Sequence, residues 1–485
     1  MELKSSPYQN NIYSEIRDTK NSLLIQAGAG SGKTTTILNC LDLIPKADNK
    51  IIFIAFNRNI ATELRERAPK HVHVSTLHSF GFNAILTWFG KVKMNEDKLF
   101  WIAMKMFDKW RVEENRYSYI HRVRKLVDYM RVNMVYSGET EIFDLATKYS
   151  LPVFSSEIDH AIELLDASNK ASYKEIDYTD MIHIPAFKNL KLRKHEFVFL
   201  DEAQDTNRAQ QVLISNMIHP TRGRLICVGD RYQSIYGFAG ADSVAFESLA
   251  SIRPNTVELP LSICYRCAQA IVREAQKYCP YIEADPNQIE GVVREGGAKE
   301  VQGDCFVLCR NTKPLIEMLF FLLGNGIKSN VKGKEIGDNI ISFIKKTRQK
   351  TTKKLIKHLE VNKIKLNRQL TEKGVKNPKN HPSMVELAEK CDIIIIMAER
   401  FETCNQLIKY IESVFLDEEV EGVMLMTIHK AKGLEKKKVF FLNPELIPSQ
   451  YAYTDDEKQQ EENLMYVGIT RAKEELVYIR YFTIR

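Results

Sequence analysis

The segment Ala27-Gly28-Ala29-Gly30-Ser31-Gly32-Lys33-Thr34 combines glycine at alternate positions with a lysine and a hydroxyl. A turn of this composition folds tightly enough for its backbone N–H groups to converge, and a helix beginning behind it adds the positive end of its dipole. The ligand suited to that cradle is a phosphate chain. Lys33 would reach the β- and γ-phosphates and the Thr34 hydroxyl would bind Mg²⁺, so ATP and Mg²⁺ are the expected cofactors. A second cluster, Leu200-Asp201-Glu202-Ala203-Gln204-Asp205, closes an apolar run. Asp201 can hold Mg²⁺ directly or through water, Glu202 can polarise the attacking water, and Asp205 is expected to serve structure or coupling. A chance glycine-rich turn and ordinary surface charge are the bland alternatives, and the apolar run before each cluster weighs against both. The two clusters describe an NTPase without saying what it drives.

Rigid elements must stand behind these residues. Ser22–Ala27 and Phe197–Leu200 are apolar runs that feed directly into the two clusters, and Ile51–Phe56 and Leu225–Val228 are similar. Short continuous apolar runs alternating with helical stretches predict parallel strands buried on both faces, with ligands beyond their C-terminal ends. The expected fold class is α/β. A first motor domain is expected over 1–80 and 179–256, interrupted by an aromatic, charged helical insertion over 81–178. A second is expected over 257–333 and 420–485, with strands near Phe306–Cys309, Val423–Thr427, Val439–Asn443 and Leu476–Tyr481. A short basic helical insertion, 334–419, splits it.

Composition agrees with a multidomain globular chain: 485 residues, 44% hydrophobic and 27% charged. No apolar run approaches the ~20 residues that cross a bilayer, and the N-terminus lacks a signal-peptide core. A cytoplasmic protein without membrane association is expected. Nine cysteines are sparse and irregular, and the pairs Cys264/Cys267 and Cys305/Cys309 read as reduced core thiols rather than metal ligands. Charge is unevenly spread. Residues 341–380 hold 13 Lys or Arg against two Glu, a net of +11 in a chain whose total is +7. Such a block is either a solvated helix face or the footprint of a polyanion.

Three further motifs follow the clusters in order. They are Val228-Gly229-Asp230-Arg231-Tyr232-Gln233-Ser234-Ile235-Tyr236-Gly237-Phe238-Ala239-Gly240-Ala241-Asp242, Thr427-Ile428-His429-Lys430-Ala431-Lys432-Gly433-Leu434-Glu435 and Tyr466-Val467-Gly468-Ile469-Thr470-Arg471-Ala472-Lys473. The set resembles UvrD/Rep-type superfamily 1 DNA helicases, in a compact form. The resemblance implies two RecA-like motor domains with the nucleotide between them, coupling ATP hydrolysis to movement on single-stranded DNA in the 3′→5′ sense. It places Gln9 at adenine, Tyr265 on the base, Glu435 at the ribose, Gln233 as γ-phosphate sensor, Arg266 at the γ-phosphate and Arg471 as arginine finger. Phe56, Tyr236 and Phe238 match positions that meet bases. Asn57, Thr76, His78, Thr427 and His429 match positions that contact the strand.

Several positions depart from that pattern. Thr35 stands where many relatives carry an arginine against adenine, Gly237 and Ala239 where arginine is frequent, and Lys436-Lys437-Lys438 where an aromatic is usual. The loop Asn443–Gln450 resembles a strand-separating pin, with Tyr451 and Tyr453 as its aromatic surface, though a plain solvent loop fits equally. The second insertion is about 85 residues, shorter than in larger members. Expected partners are single-stranded DNA, duplex junctions and proteins of a repair, replication or defence complex. A non-unwinding translocase and a nucleotide-sensing subunit are the competing functions.

Overall fold

In the strand Ser22–Ala27 every residue is buried, and alternate side chains enter different cores. Leu23, Ile25 and Ala27 pack with Ile12 and Ile37 on one side, and Leu24 packs with Leu213 and Ile214 on the other. Ile51–Ala55 divides in the same way, Ile51, Phe53 and Ala55 against Ile52 and Ile54. Period-two alternation with both faces covered is the signature of a parallel sheet sandwiched by helices. This computed structural model describes residues 5–45, 50–110, 112, 115–149, 151, 153–237, 240–242, 244–372, 375, 377–417 and 422–483. It divides into two compact units, residues 1–262 and 263–485.

The first unit carries a six-stranded sheet in the order His73–Thr76, Ile51–Ala55, Phe197–Leu200, Arg224–Gly229, Ser22–Ala27, Thr256–Leu261. All neighbours are parallel, with Leu23 beside Ile226 and Ile51 beside Phe197 setting the register. The expected start of the second domain at 257 falls inside the edge strand Thr256–Leu261, which pairs along its whole length with Ser22–Ala27. That strand contains Glu258 and Pro260 and is half-exposed, so it lacks the continuous apolar run of its neighbours. In sequence, between His73–Thr76 and Phe197–Leu200, lies a helical lobe built mainly from Lys98–Trp110, Arg116–Asn133, Glu139–Lys148 and Ser155–Ala171, around its own core of Ile120, Val123, Leu126 and Leu164.

The second unit carries a seven-stranded parallel sheet, ordered Val292–Glu295, Ala472–Ile479, Lys436–Leu442, Cys305–Cys309, Val423–Thr427, Ser329–Lys332, Phe415–Leu416. Four helices, Lys334–Thr347, Thr352–Glu372, Pro382–Ala398 and Cys404–Val414, interrupt it in sequence and pack Ile340, Leu355, Ile394 and Leu407 into the unit's core. The α/β class with two parallel sheets is thus as expected. All nine cysteines are buried thiols. Among the described residues no helix is long and apolar enough to cross a membrane.

Candidate nucleotide and nucleic-acid sites

The glycine-rich turn links Ser22–Ala27 to the helix Lys33–Asp42. Gly30 and Gly32 adopt φ of 66° and 80°, backbone that a Cβ would strain, and no side chain caps the helix. Its first amides therefore stay available to an anion. The turn is tied to the sheet by the Gly28 N–H, which donates to the Leu261 carbonyl at 2.9 Å. The Ser31 hydroxyl is buried with no hydrogen-bond partner, an orphan that a phosphate oxygen would satisfy. Gln9 lies against this turn: its Nε2 donates to Thr36 Oγ1 at 3.0 Å and its Oε1 accepts from the Ser6 N–H at 2.9 Å. Thr34 and Thr35 occupy the first helical turn, Thr34 half-buried and Thr35 exposed.

Lys33 Nζ faces Glu202 Oε1 at 3.5 Å. Glu202 sits at the end of Phe197–Leu200 in the left-handed region, φ 51°, which turns its side chain sharply out of the strand line. Asp201 is buried. Burial, then the neighbouring Glu202 carboxylate, push its carboxyl up to about 6, against the pull of Lys33. A divalent cation would reverse that balance and hold it ionised. The buried carboxyl, the nearby hydroxyls and the uncapped helix end fit Mg²⁺ held by Thr34 and Asp201 with ATP on the loop, where the ion would neutralise phosphate charge.

Two residues without an expected role complete the arrangement. The Gln204 amide donates to Glu202, and its Oε1 accepts from the Asp230 N–H at 3.0 Å. Asp230, fully buried, accepts from Gln233 Nε2 at 2.8 Å. A polar chain thus runs Lys33, Glu202, Gln204, Asp230, Gln233. It also explains Gly229, since a Cβ there would lie 2.3 Å from Gln204 Oε1. Gln204 belongs to the acidic cluster and Asp230 to the next motif, but nothing in their spacing reveals that they meet.

Three of the expected strand-contacting residues of this unit, Phe56, His78 and Tyr236, lie on one surface. Phe56 follows Ile51–Ala55, Tyr236 follows Arg224–Gly229, and their rings stack at 6.4 Å and 13°. With His78, Thr179, Asp205 and Asn207 they line a cleft of about 410 Å³. Phe56 is 42% exposed and so presents a free face. Thr76 and Asn57 serve as helix caps, accepting from the Ser79 and Ile60 N–H groups. Phe238 and Ala239 lie outside the described residues.

In the second unit Arg266 pairs with Glu435, whose other oxygen meets Lys473 Nζ at 2.5 Å. Both partners draw the Glu435 carboxyl below its ordinary range against the opposing effect of burial. Tyr265, next to Arg266 in the chain, is half-buried. Arg471 is 1% exposed: its guanidinium donates to the Val467 carbonyl at 2.9 Å, the Leu434 carbonyl at 3.2 Å and Thr470 Oγ1 at 3.0 Å. The expected arginine finger is thus folded onto the C-terminal end of the preceding helix, Asp455–Ile469, and onto Leu434. Thr427 and His429 lie half-buried at the end of Val423–Thr427, and burial, then Arg310, push His429 down to about 4. Tyr453 is exposed and Tyr451 half-buried.

Comparison with known proteins follows the same division. The family model of the UvrD/REP helicase N-terminal domain matches residues 8–252, and that of the UvrD-like helicase C-terminal domain matches 422–479. F-box DNA helicase 1 of Gallus gallus is 24% identical over 97% of this chain and 48% of its own length. ATP-dependent DNA helicase Rep of Buchnera aphidicola is 24% identical over 95% of this chain and 92% of its own. ATP-dependent DNA helicase PcrA of Bacillus subtilis matches 54% of this chain and 38% of its own length, also at 24%. The chain thus spans about half of the F-box protein and nearly all of the Rep protein.

Proposed function

Since this chain belongs to the UvrD/REP helicase family, we propose that it is an ATP-driven motor that moves 3′→5′ on single-stranded DNA and opens the duplex ahead. The observation that carries this reading is the continuity of two sites in the first unit. The polar chain from Lys33 ends at Gln233, three residues before Tyr236, and the acidic cluster that begins at Asp201 ends at Asp205. Tyr236 and Asp205 both line the aromatic cleft. Loss of the γ-phosphate would shift Lys33 and Glu202, and the same connected groups would move the rings that hold a base. Stacking suits such a track, because every base offers a π-face whatever the sequence.

Within this reading Lys33 and the loop amides bind the phosphates, Thr34 and Asp201 hold Mg²⁺, and Glu202 aligns the attacking water. Gln233 senses the γ-phosphate. Gln9 and Tyr265 hold the base and Glu435 the ribose. Arg266 and Arg471 answer the charge that builds on the transferring phosphoryl group, and Arg471 must exchange its carbonyl partners to do so. Phe56, Asn57, Thr76, His78, Tyr236, Phe238, Thr427 and His429 form the track. The test is unwinding of duplexes with a 3′ or a 5′ tail: ATP-dependent opening of the 3′-tailed substrate alone is expected. A second reading, a translocase that does not unwind, is favoured by the short second insertion. It predicts ATP-driven movement with neither duplex opened.

A further inference from the structure

Cys264 and Cys267 stand on either side of Tyr265 and Arg266. Both are fully buried, between the short strand Ile263–Cys264 and the helix Gln269–Ala275. The Cys267 N–H donates to Cys264 Sγ at 3.4 Å, and the Cys267 thiol hydrogen-bonds to the same sulfur. Cys267 Sγ also lies 3.7 Å from the carbonyl oxygen of Thr470, the residue before Arg471. One residue on, the Ala268 N–H donates to the Lys473 carbonyl at 2.7 Å. The two thiols therefore join the segments that carry Arg266 and Arg471.

Neither the setting nor the spacing of this pair is shared by the other candidate pair. Cys305 and Cys309 close the two ends of one strand, about 13 Å apart at ~3.3 Å per residue. A disulfide spans no more than ~7 Å between Cα atoms. Burial pushes the thiols of both upward, as it does those of Cys40 and Cys227. Cys264 goes the other way. The hydrogen bond from Cys267, then the N–H groups of Cys267 and Arg266 and the Arg266 charge, hold its thiol below the ordinary range in spite of burial. Cys267, the donor, is held above its own range by the same bond and by burial. One sulfur poised as thiolate with a second thiol against it is the arrangement of a reversible dithiol. Among the described residues no group of three or more His, Cys, Asp or Glu is placed to hold a metal, so sulfur–sulfur chemistry is what the pair offers.

We propose that Cys264 and Cys267 form a peroxide-sensitive dithiol whose oxidation to a disulfide slows ATP hydrolysis by displacing Arg266 and Arg471. The proposal rests on the roles given to those arginines above. The Cys264 thiolate attacks hydrogen peroxide, forming an S–O bond as the O–O bond breaks, and the departing hydroxide takes up the proton that the thiol lost. The Cys267 thiolate then attacks the Cys264 sulfenic acid. The S–S bond forms, the S–O bond breaks, and the second hydroxide leaves as water with the Cys267 proton. Two thiols thereby lose two electrons and two protons, and peroxide becomes two waters. Burial restricts the oxidant to one as small as this. A disulfide sets the sulfurs at about 2.05 Å, well inside hydrogen-bonding distance. The backbone holding Tyr265 and Arg266 has to contract, and Cys267 Sγ withdraws from Thr470.

The experiment treats the full chain with hydrogen peroxide, assays ATP hydrolysis, and digests the protein with trypsin in the absence of reductant. Trypsin cuts after Arg266, so a Cys264–Cys267 disulfide leaves two peptides joined through sulfur, which mass spectrometry detects. Joined peptides are expected to appear in step with a loss of hydrolysis of about 10²-fold, the cost of misplacing a group at the reacting centre by about an ångström. Dithiothreitol should reverse both. Cys264→Ser is expected to hydrolyse ATP near the parent rate and to keep that rate in peroxide, with Cys264→Ala as the second variant where a hydroxyl disturbs the buried site. Peptides that stay separate, joined peptides with hydrolysis unchanged, or an equal loss in parent and variant each overturn the proposal. An inert reduced parent is a different failure: it overturns the motor reading, and the switch with it.

Discussion

Lys33 in the first unit faces a carboxylate across 3.5 Å with an uncapped helix end beside it, whereas Arg471 in the second is folded among the carbonyls of Val467 and Leu434. On the proposed reading the contrast separates a site largely arranged for its ligand from an arginine held in reserve. The uncapped amides and the unpartnered Ser31 hydroxyl of the first unit are open to phosphates. Arg471 has to give up three hydrogen bonds before it can meet an anion, and Arg266 has to leave Glu435. Binding is expected to be a property of the first unit and rapid turnover a property of both. That division lets a motor hold ATP without wasting it.

The sharpest way to break the comparison is Lys33→Ala. Hydrolysis is expected to fall below detection while single-strand affinity stays within a few-fold of the parent, measured by ATPase assay and oligonucleotide titration. Next is Arg471→Ala, expected to cost ~10³–10⁵ in turnover with ATP binding kept. It should also lower unfolding free energy by ~1–3 kcal/mol, because buried carbonyls are deprived of their donor. Arg266→Ala should slow turnover with little change in denaturant midpoint, since its ion pair is half-exposed. Equal stability of the two variants would remove the distinction between a buried and a surface-held arginine.

The phosphate loop, the acidic cluster and the central strands were legible because each is a local pattern: glycine spacing, adjacent acids, an unbroken apolar run. Thr256–Leu261 was not, because an edge strand buried on part of one face alternates weakly and carries Glu258 and Pro260. The Gln204–Asp230 hydrogen bond and the Phe56–Tyr236 stack were hidden for another reason. They join residues that follow different strands, and which strand ends become neighbours depends on sheet order, not on local composition. The hidden state of Arg471 is of the same kind: the motif names the residue but carries no rotamer.

Smaller effects refine the picture. Glu202→Gln should reduce turnover by ~10²–10⁴, the range of a positioned base, while ATP binding remains at least as tight as in the parent. Weak nucleotide binding in an equilibrium titration would instead assign Glu202 to holding Lys33 in place. Phe56→Ala should weaken single-strand binding by ~1–3 kcal/mol, the worth of one stacked base, without altering ATP affinity. Unchanged affinity for single strands would place this ring outside the track.

The measurement closest to the central claim is the steady-state rate of ATP hydrolysis by the full chain with and without saturating single-stranded DNA. Because Asp205 of the acidic cluster and Tyr236, three residues beyond Gln233, line the aromatic cleft, occupancy of the cleft is predicted to raise the rate severalfold or more. Identical rates with and without DNA, under conditions where the oligonucleotide is shown to be bound, would contradict the coupling of the two sites.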